Sequence, residues 1–293
     1  MTRITTILAA ILFAGLLAAC STGGAGDDSG GRVKVVASTG IFADFAREVG
    51  GERVDVTSLL PPNAEPHTYE PGPADVRRIA EADVVFLNGL GLEGNLQDTI
   101  RSVAGNGRVV YLSGYPDPAK VVLDDIHLWL DVNQAIQYVQ RLRDGLIKAD
   151  PAGDTYYRTN TDDYSGRLRE LDGEIQAAVD SIPPERRMLV TFHNAFKTFA
   201  ERYGLRVAGF VVSSPGGDPS PKDIADLVRV VEDEGVKAAF VERGFNAKAL
   251  EEVAADAGVR VCSLYSDALS DAAPTYIDMM RANARELARC LGG

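Results

Sequence analysis

The sequence predicts an α/β protein of two lobes with mainly parallel sheets, joined by one long linking helix. Two observations carry this expectation. Short apolar runs alternate with helical patterns in both halves of the chain, the β-α-β order that builds parallel sheets. Between the halves, Tyr157, Tyr164, Leu168, Leu171, Ile175, Ala178 and Ile182 recur at spacings of three, four or seven. That is a single apolar stripe on one helix.

The chain of 293 residues is 45% hydrophobic and 25% charged, an ordinary globular composition long enough for two domains. Its first segment is set apart. Arg3 is the only charge before Asp27, and 4–19 is an apolar and small-residue run ending Leu17-Ala18-Ala19 before Cys20. A cation, a short apolar core and small residues before a cut site read as a secretory signal. The run is short for a spanning helix, which needs roughly 20 residues. Cysteine after Leu-Ala-Ala resembles a bacterial lipobox, which predicts cleavage before Cys20 and lipid on its thiol. Residues 21–31, STGGAGDDSGG, read as a flexible tether reaching roughly 15–20 Å. The expected location is extracytoplasmic, anchored by lipid to the cell membrane.

The expected domains are a signal over 1–19, a tether over 20–31, an N-terminal lobe over 32–153, a linking helix over 154–182 and a C-terminal lobe over 183–293. In the first lobe, 33–38, 54–60, 84–88 and 109–112 read as buried strands, separated by helices near 42–50, 74–82 and 93–104. Asp150-Pro151 precede the linking helix and Pro183-Pro184 stop it. Gly166 and Gly173 mark where it would break if it were two helices. In the second lobe, 188–192, 207–212, 238–241 and 259–264 read as strands, with helices near 195–203, 222–235, 246–257 and 275–291.

Formal charge is −12; loss of 1–19, with one cation and no acid, takes it to −13. Such an acidic body argues against nucleic acid and anionic surfaces as partners. After Cys20, only Cys262 and Cys290 remain, without paired-cysteine metal spacing. Cys262 lies in an apolar run and reads as a small buried hydrophobe. A Cys262–Cys290 disulfide is allowed outside the cytoplasm, but spacing alone does not fix it. The 213–221 run, SSPGGDPSP, lacks the Gly-Lys-Ser/Thr ending of a phosphate loop and reads as a turn opening a helix at Pro221. Arg141, Arg143 and Lys148 read as a scattered, solvated helix face.

The chain has three histidines, His67, His127 and His193, and none sits inside an apolar run. His67 follows a strand in a loop stiffened by Pro61, Pro62, Pro66 and Pro71. His127 precedes a helix, two residues before the sole tryptophan, Trp129. His193 ends a strand and opens a helix. Ligands of open parallel sheets gather at strand carboxyl ends, where His67 and His193 fall. Neutral imidazole is the commonest metal ligand near neutral pH, and three of them call for a fourth group to close the site. Asp267 and Glu242 each follow a strand, and the residues alone leave both open.

Several stretches carry a family resemblance over nearly the whole chain from Val33. They are Pro66-His67-Thr68-Tyr69-Glu70-Pro71, His127-Leu128-Trp129-Leu130-Asp131, His193-Asn194-Ala195-Phe196, Tyr265-Ser266-Asp267-Ala268-Leu269 and Thr275-Tyr276-Ile277-Asp278-Met279-Met280. In this order they resemble the metal-specific solute-binding lipoproteins of bacterial ABC importers, the zinc- and manganese-binding cluster. The resemblance implies one divalent ion held between the lobes by His67, His127, His193 and Asp267. It favours Asp267 over Glu242, which becomes a candidate for orienting a histidine from behind. It implies no enzymatic activity, a membrane permease as partner and a monomer in solution. Two departures stand out. The 114–126 stretch has no histidine, where zinc members often carry a His- and acid-rich loop, and Val132 stands where proline is usual.

The expected cargo is Zn²⁺ first, from the imidazole set and the affinity order, with Mn²⁺ second and Fe²⁺ as a further alternative if Asp267 binds through both oxygens. Absence of thiolate ligands argues against Cu(I). Two other readings compete. A secreted zinc-dependent hydrolase would need an open coordination position and has no His-Glu-x-x-His motif here. A surface adhesin would carry the same metal site without transport.

Overall fold

The computed structural model describes residues 31–115, 125–213, 219–245 and 248–292. The signal segment, Cys20 and nearly all of the tether lie outside the described residues.

Two four-stranded sheets form, every pairing parallel. The first holds β1 (Val33–Ala37), β2 (Val54–Ser58), β3 (Val84–Leu87) and β4 (Val109–Tyr111) in the order β2-β1-β3-β4. The second holds β5 (Met188–His193), β6 (Arg206–Val212), β7 (Ala238–Glu242) and β8 (Arg260–Leu264) in the order β6-β5-β7-β8. Each chain path leaves its first strand to one side and returns to the other. The loops therefore part beside β1 and β5 and open a crevice at the strand carboxyl ends.

The crossovers of the first lobe are α1 (Gly40–Gly50), α2 (Pro73–Glu81) and α3 (Gly94–Ala104), followed by α4 (Val132–Ala149). The linking helix α5 (Asp154–Asp180) runs 27 residues without a break at Gly166 or Gly173. The second lobe adds α6 (Lys197–Tyr203), α7 (Pro221–Asp233), α8 (Lys248–Asp256) and α9 (Tyr276–Leu291). Helix starts follow local chemistry. Thr39, Asp131, Ser220 and Thr275 each accept a backbone N–H of the first turn through their side chains. Pro221 opens α7 as expected, while 214–218 lie outside the described residues.

α5 packs on α1 and α4 of the first lobe and on α9 of the second. Its buried stripe is Tyr157, Tyr164, Leu168, Leu171, Ile175 and Val179. The largest core therefore runs through both lobes, joining Phe42, Phe45 and Trp129 to Tyr276, Met279 and Leu287. Smaller cores, around Val85 and Ile100 and around Val190 and Val253, sit on the other side of each sheet. Cys262 and Cys290 form a disulfide tying β8 to α9. The basic residues of α4 are not merely solvated: Arg141 donates to the Leu112 carbonyl at 2.8 Å and Lys148 to that of Gly107 at 3.0 Å. Among the described residues no helix is long and apolar enough to cross a membrane.

Candidate metal centre

The three histidines and Asp267 meet in the crevice. His67 lies in the loop after β2. The Glu65 carboxylate accepts the His67 and Thr68 backbone N–H groups and the Thr68 hydroxyl, folding this loop on itself. His127 precedes α4. Asp125 Oδ1 accepts both its backbone N–H and its ring Nδ1–H at 2.8 Å. Asp125 Oδ2 accepts the Thr198 N–H of α6 at 2.8 Å, so this carboxylate also spans the lobes. His193 ends β5, and Glu242 ends the neighbouring β7. Glu242 accepts the Phe192 and His193 backbone N–H groups at 3.1 and 3.2 Å and lies 3.4 Å from His193 Nδ1. Asp267 follows β8 and accepts the Ser266 hydroxyl at 2.8 Å.

Each Nδ1 of His127 and His193 thus faces a carboxylate, which turns the bare Nε2 inward. His127 Nε2 lies 3.3 Å from Nε2 of both His67 and His193. Asp267 Oδ1 is 3.5 Å from His127 Nε2, and Oδ2 is 3.4 Å from His193 Nε2. One ligand atom from each of the four residues lies within 4.8 Å of all the others. A tetrahedral ion with bonds of about 2.0–2.1 Å separates its ligand atoms by about 3.3–3.4 Å. The four edges given above, 3.3 to 3.5 Å, lie close to that figure, and each Asp267 oxygen lies within 3.5 Å of a histidine Nε2.

The electrostatics suit a cation. Burial opposes charge on His67, and with two imidazoles beside it its pKa falls to about 4. Burial opposes charge on His193 too, but Glu242 and Asp267 outweigh it and raise its pKa. Burial alone would raise Asp267, yet the three imidazoles hold it below the usual carboxylate range. His127, His193 and Asp267 are almost fully buried, whereas His67 is partly open. A cavity of about 370 Å³ between the loops, lined by Thr39, Pro61 and Leu269 among others, reaches Asp267 from the side.

The fold brings together the three histidines, Asp267 and Glu242 expected from the sequence. Two further carboxylates, Glu65 and Asp125, are not among those expected residues. Both stand two residues before a histidine and accept that histidine's backbone N–H. An acid-x-His spacing was the available signal.

The family model of ZnuA, the periplasmic component A of a zinc-uptake complex, matches residues 35–290. The chain belongs to this family. The ZnuA family comprises metal-binding solute receptors of ABC importers rather than enzymes, which removes the hydrolase alternative. The chain is 35% identical over 284 residues to the manganese-binding lipoprotein MntA of Halalkalibacterium halodurans, covering 94% of each chain. It is 30% identical over 313 residues to the manganese ABC transporter substrate-binding lipoprotein PsaA of Streptococcus pneumoniae, covering 99% of each. Its fold is similar to the periplasmic zinc-binding protein TroA of Treponema pallidum, with a TM-score of 0.84 and 27% identity over 90% of this chain and 100% of that one.

Proposed function

We propose that His67, His127, His193 and Asp267 bind one Mn²⁺ ion as cargo and present it to the permease of an ABC importer. The convergence of four ligand atoms carries the reading. Two features support manganese over the zinc that the affinity order ranks first. Each Asp267 oxygen lies within 3.5 Å of a histidine Nε2, which favours two-oxygen binding and more than four ligand atoms. The curated relatives described above are named for manganese. Zinc remains the tighter competitor in a set of imidazoles, so selection rests on coordination number and supply rather than on raw affinity.

Glu242 and Asp125 orient His193 and His127 from behind. The lobes over 32–153 and 183–293 act as jaws on the 154–182 helix, and Cys20 anchors a monomer to the outer face of the cell membrane through lipid. Transport, rather than adhesion with the same site, is the reading that the family's place in ABC importers supports.

The test is elemental analysis of the protein isolated from its host, paired with competitive titration of Mn²⁺, Fe²⁺ and Zn²⁺. Manganese in the isolated protein, with zinc displacing it in vitro, is expected. Zinc alone from cells supplied with both metals would overturn the manganese assignment.

A further inference from the structure

Glu93, just before α3, is fully buried and takes no part in the metal centre. Its Oε1 accepts the Ser38 hydroxyl at 2.9 Å and the Asn88 N–H at 2.6 Å; its Oε2 accepts the Gly89 N–H at 3.3 Å. A carboxylate buried without a cation is costly, so three donors converging on it point to a role. The turn it closes is strained. Gly89, Leu90 and Gly91 have φ of 83°, 58° and 83°, and a left-handed leucine persists only where its surroundings enforce it.

Both ends of this turn reach the histidine loops of the first lobe. At one end, the Asn88 side-chain amide donates to the Ile126 carbonyl at 3.2 Å, one residue before His127. The Tyr138 hydroxyl fixes that amide by donating to Asn88 Oδ1 at 2.6 Å. At the other end, Gly94 abuts the His67 backbone: a Cβ there would lie 2.6 Å from the His67 carbonyl oxygen.

We propose that Glu93 is a positioning residue for both first-lobe histidines, holding one strained turn against the His67 and His127 backbones. It touches no metal and acts through hydrogen bonds. The inference rests on the ligand roles proposed above. It also predicts that one remote side chain couples two ligands from separate loops.

The experiment is a set of double-mutant cycles on the full chain, read as Mn²⁺ affinity, with apo thermal unfolding as the fold control. His67→Ala and His127→Ala alone test the ligand reading; if neither weakens binding, that reading fails whatever Glu93 does. With it standing, Glu93→Gln should weaken binding by about 10–100-fold, the range for groups that support a ligand from behind. That loss should shrink to a few-fold in either histidine-to-alanine background. General loosening of the fold would instead lower affinity by the same factor in every background. An equal loss in all backgrounds, or no loss, overturns the proposal. Gly94→Ala provides a second route that leaves the carboxylate in place. Its loss should couple to His67→Ala and add independently to His127→Ala, and the absence of coupling to His67 would overturn that arm.

Discussion

Trp129, in the first lobe, donates its indole N–H to the carbonyl of Ser266 in the second, 2.9 Å away. Its ring meets that of His127 edge-on with centroids 5.2 Å apart, and its own carbonyl accepts the Tyr276 hydroxyl at 2.6 Å. Ser266 immediately precedes Asp267. One buried side chain thus links a histidine from one lobe to the carboxylate loop of the other. Trp129→Phe should remove the indole donor and leave a buried carbonyl unpaired, costing about 1–3 kcal/mol by urea unfolding and weakening metal binding. With this link and the shared core, rotation between lobes on metal loss should stay under about 20°; crystals with and without metal would check it.

His193→Ala should cost more affinity than Asp125→Ala. The first deletes a bare ring nitrogen facing the centre. The second leaves His127 present but unaligned, expected to cost about 10–100-fold. Metal titration of both variants checks the order, and unchanged affinity for His193→Ala would remove it from the ligands.

Gly244 packs on the His67 loop from the opposite lobe. It has φ of 97°, and a Cβ there would lie 2.8 Å from the Asn63 carbonyl oxygen. Asn63, itself at φ 60°, donates its N–H to the Leu269 carbonyl at 3.3 Å. Gly244→Ala should cost at least about 1 kcal/mol in the apo protein and push the His67 loop outward. Metal affinity should fall with it, and titration beside apo unfolding measures both.

The pH dependence of apo stability has a defined sign. Burial raises the pKa of Glu93 to about 7 and that of Asp44 to about 6. Unfolded, both titrate lower, so the folded protein binds more protons in between. Their contribution is full below the unfolded values and is lost as pH rises through about 6 to 7. His67, held at about 4, acts oppositely: its contribution is present above its unfolded value and lost as pH falls towards 4. Glu93→Gln removes one part. Between about pH 7.5 and about pH 4.5 the stability gap should move in favour of the unsubstituted chain by on the order of 3 kcal/mol. Urea unfolding with a chelator present at each pH checks it. Metal affinity should weaken with acid as well, because bound imidazoles must be unprotonated.

Reducing the Cys262–Cys290 bridge, which closes a 28-residue separation, should lower stability by about 3–4 kcal/mol. Unfolding with and without dithiothreitol measures it. No change would mean that the bridge adds nothing to the fold.

The fold class was legible in the sequence because short apolar runs and period-3.6 stripes are local patterns. The α5 stripe and the prolines at its ends point to one helix, and the structure shows no break at Gly166 or Gly173. The candidate metal centre was legible from three histidines outside apolar runs taken together with the family resemblance, which supplied the ligand set. Spacing did not separate Asp267 from Glu242, since both follow strands. The family resemblance favours Asp267, and the tertiary structure sets each of its oxygens within 3.5 Å of a histidine Nε2 while Glu242 lies behind His193, 3.4 Å from Nδ1. Tertiary structure likewise decided the cross-lobe reach of Asp125 to Thr198, the disulfide, and the Glu93 turn beneath two distant loops. Sequence periodicity records which face of a segment avoids water; which side chains from distant segments then meet depends on how the sheets and α5 pack.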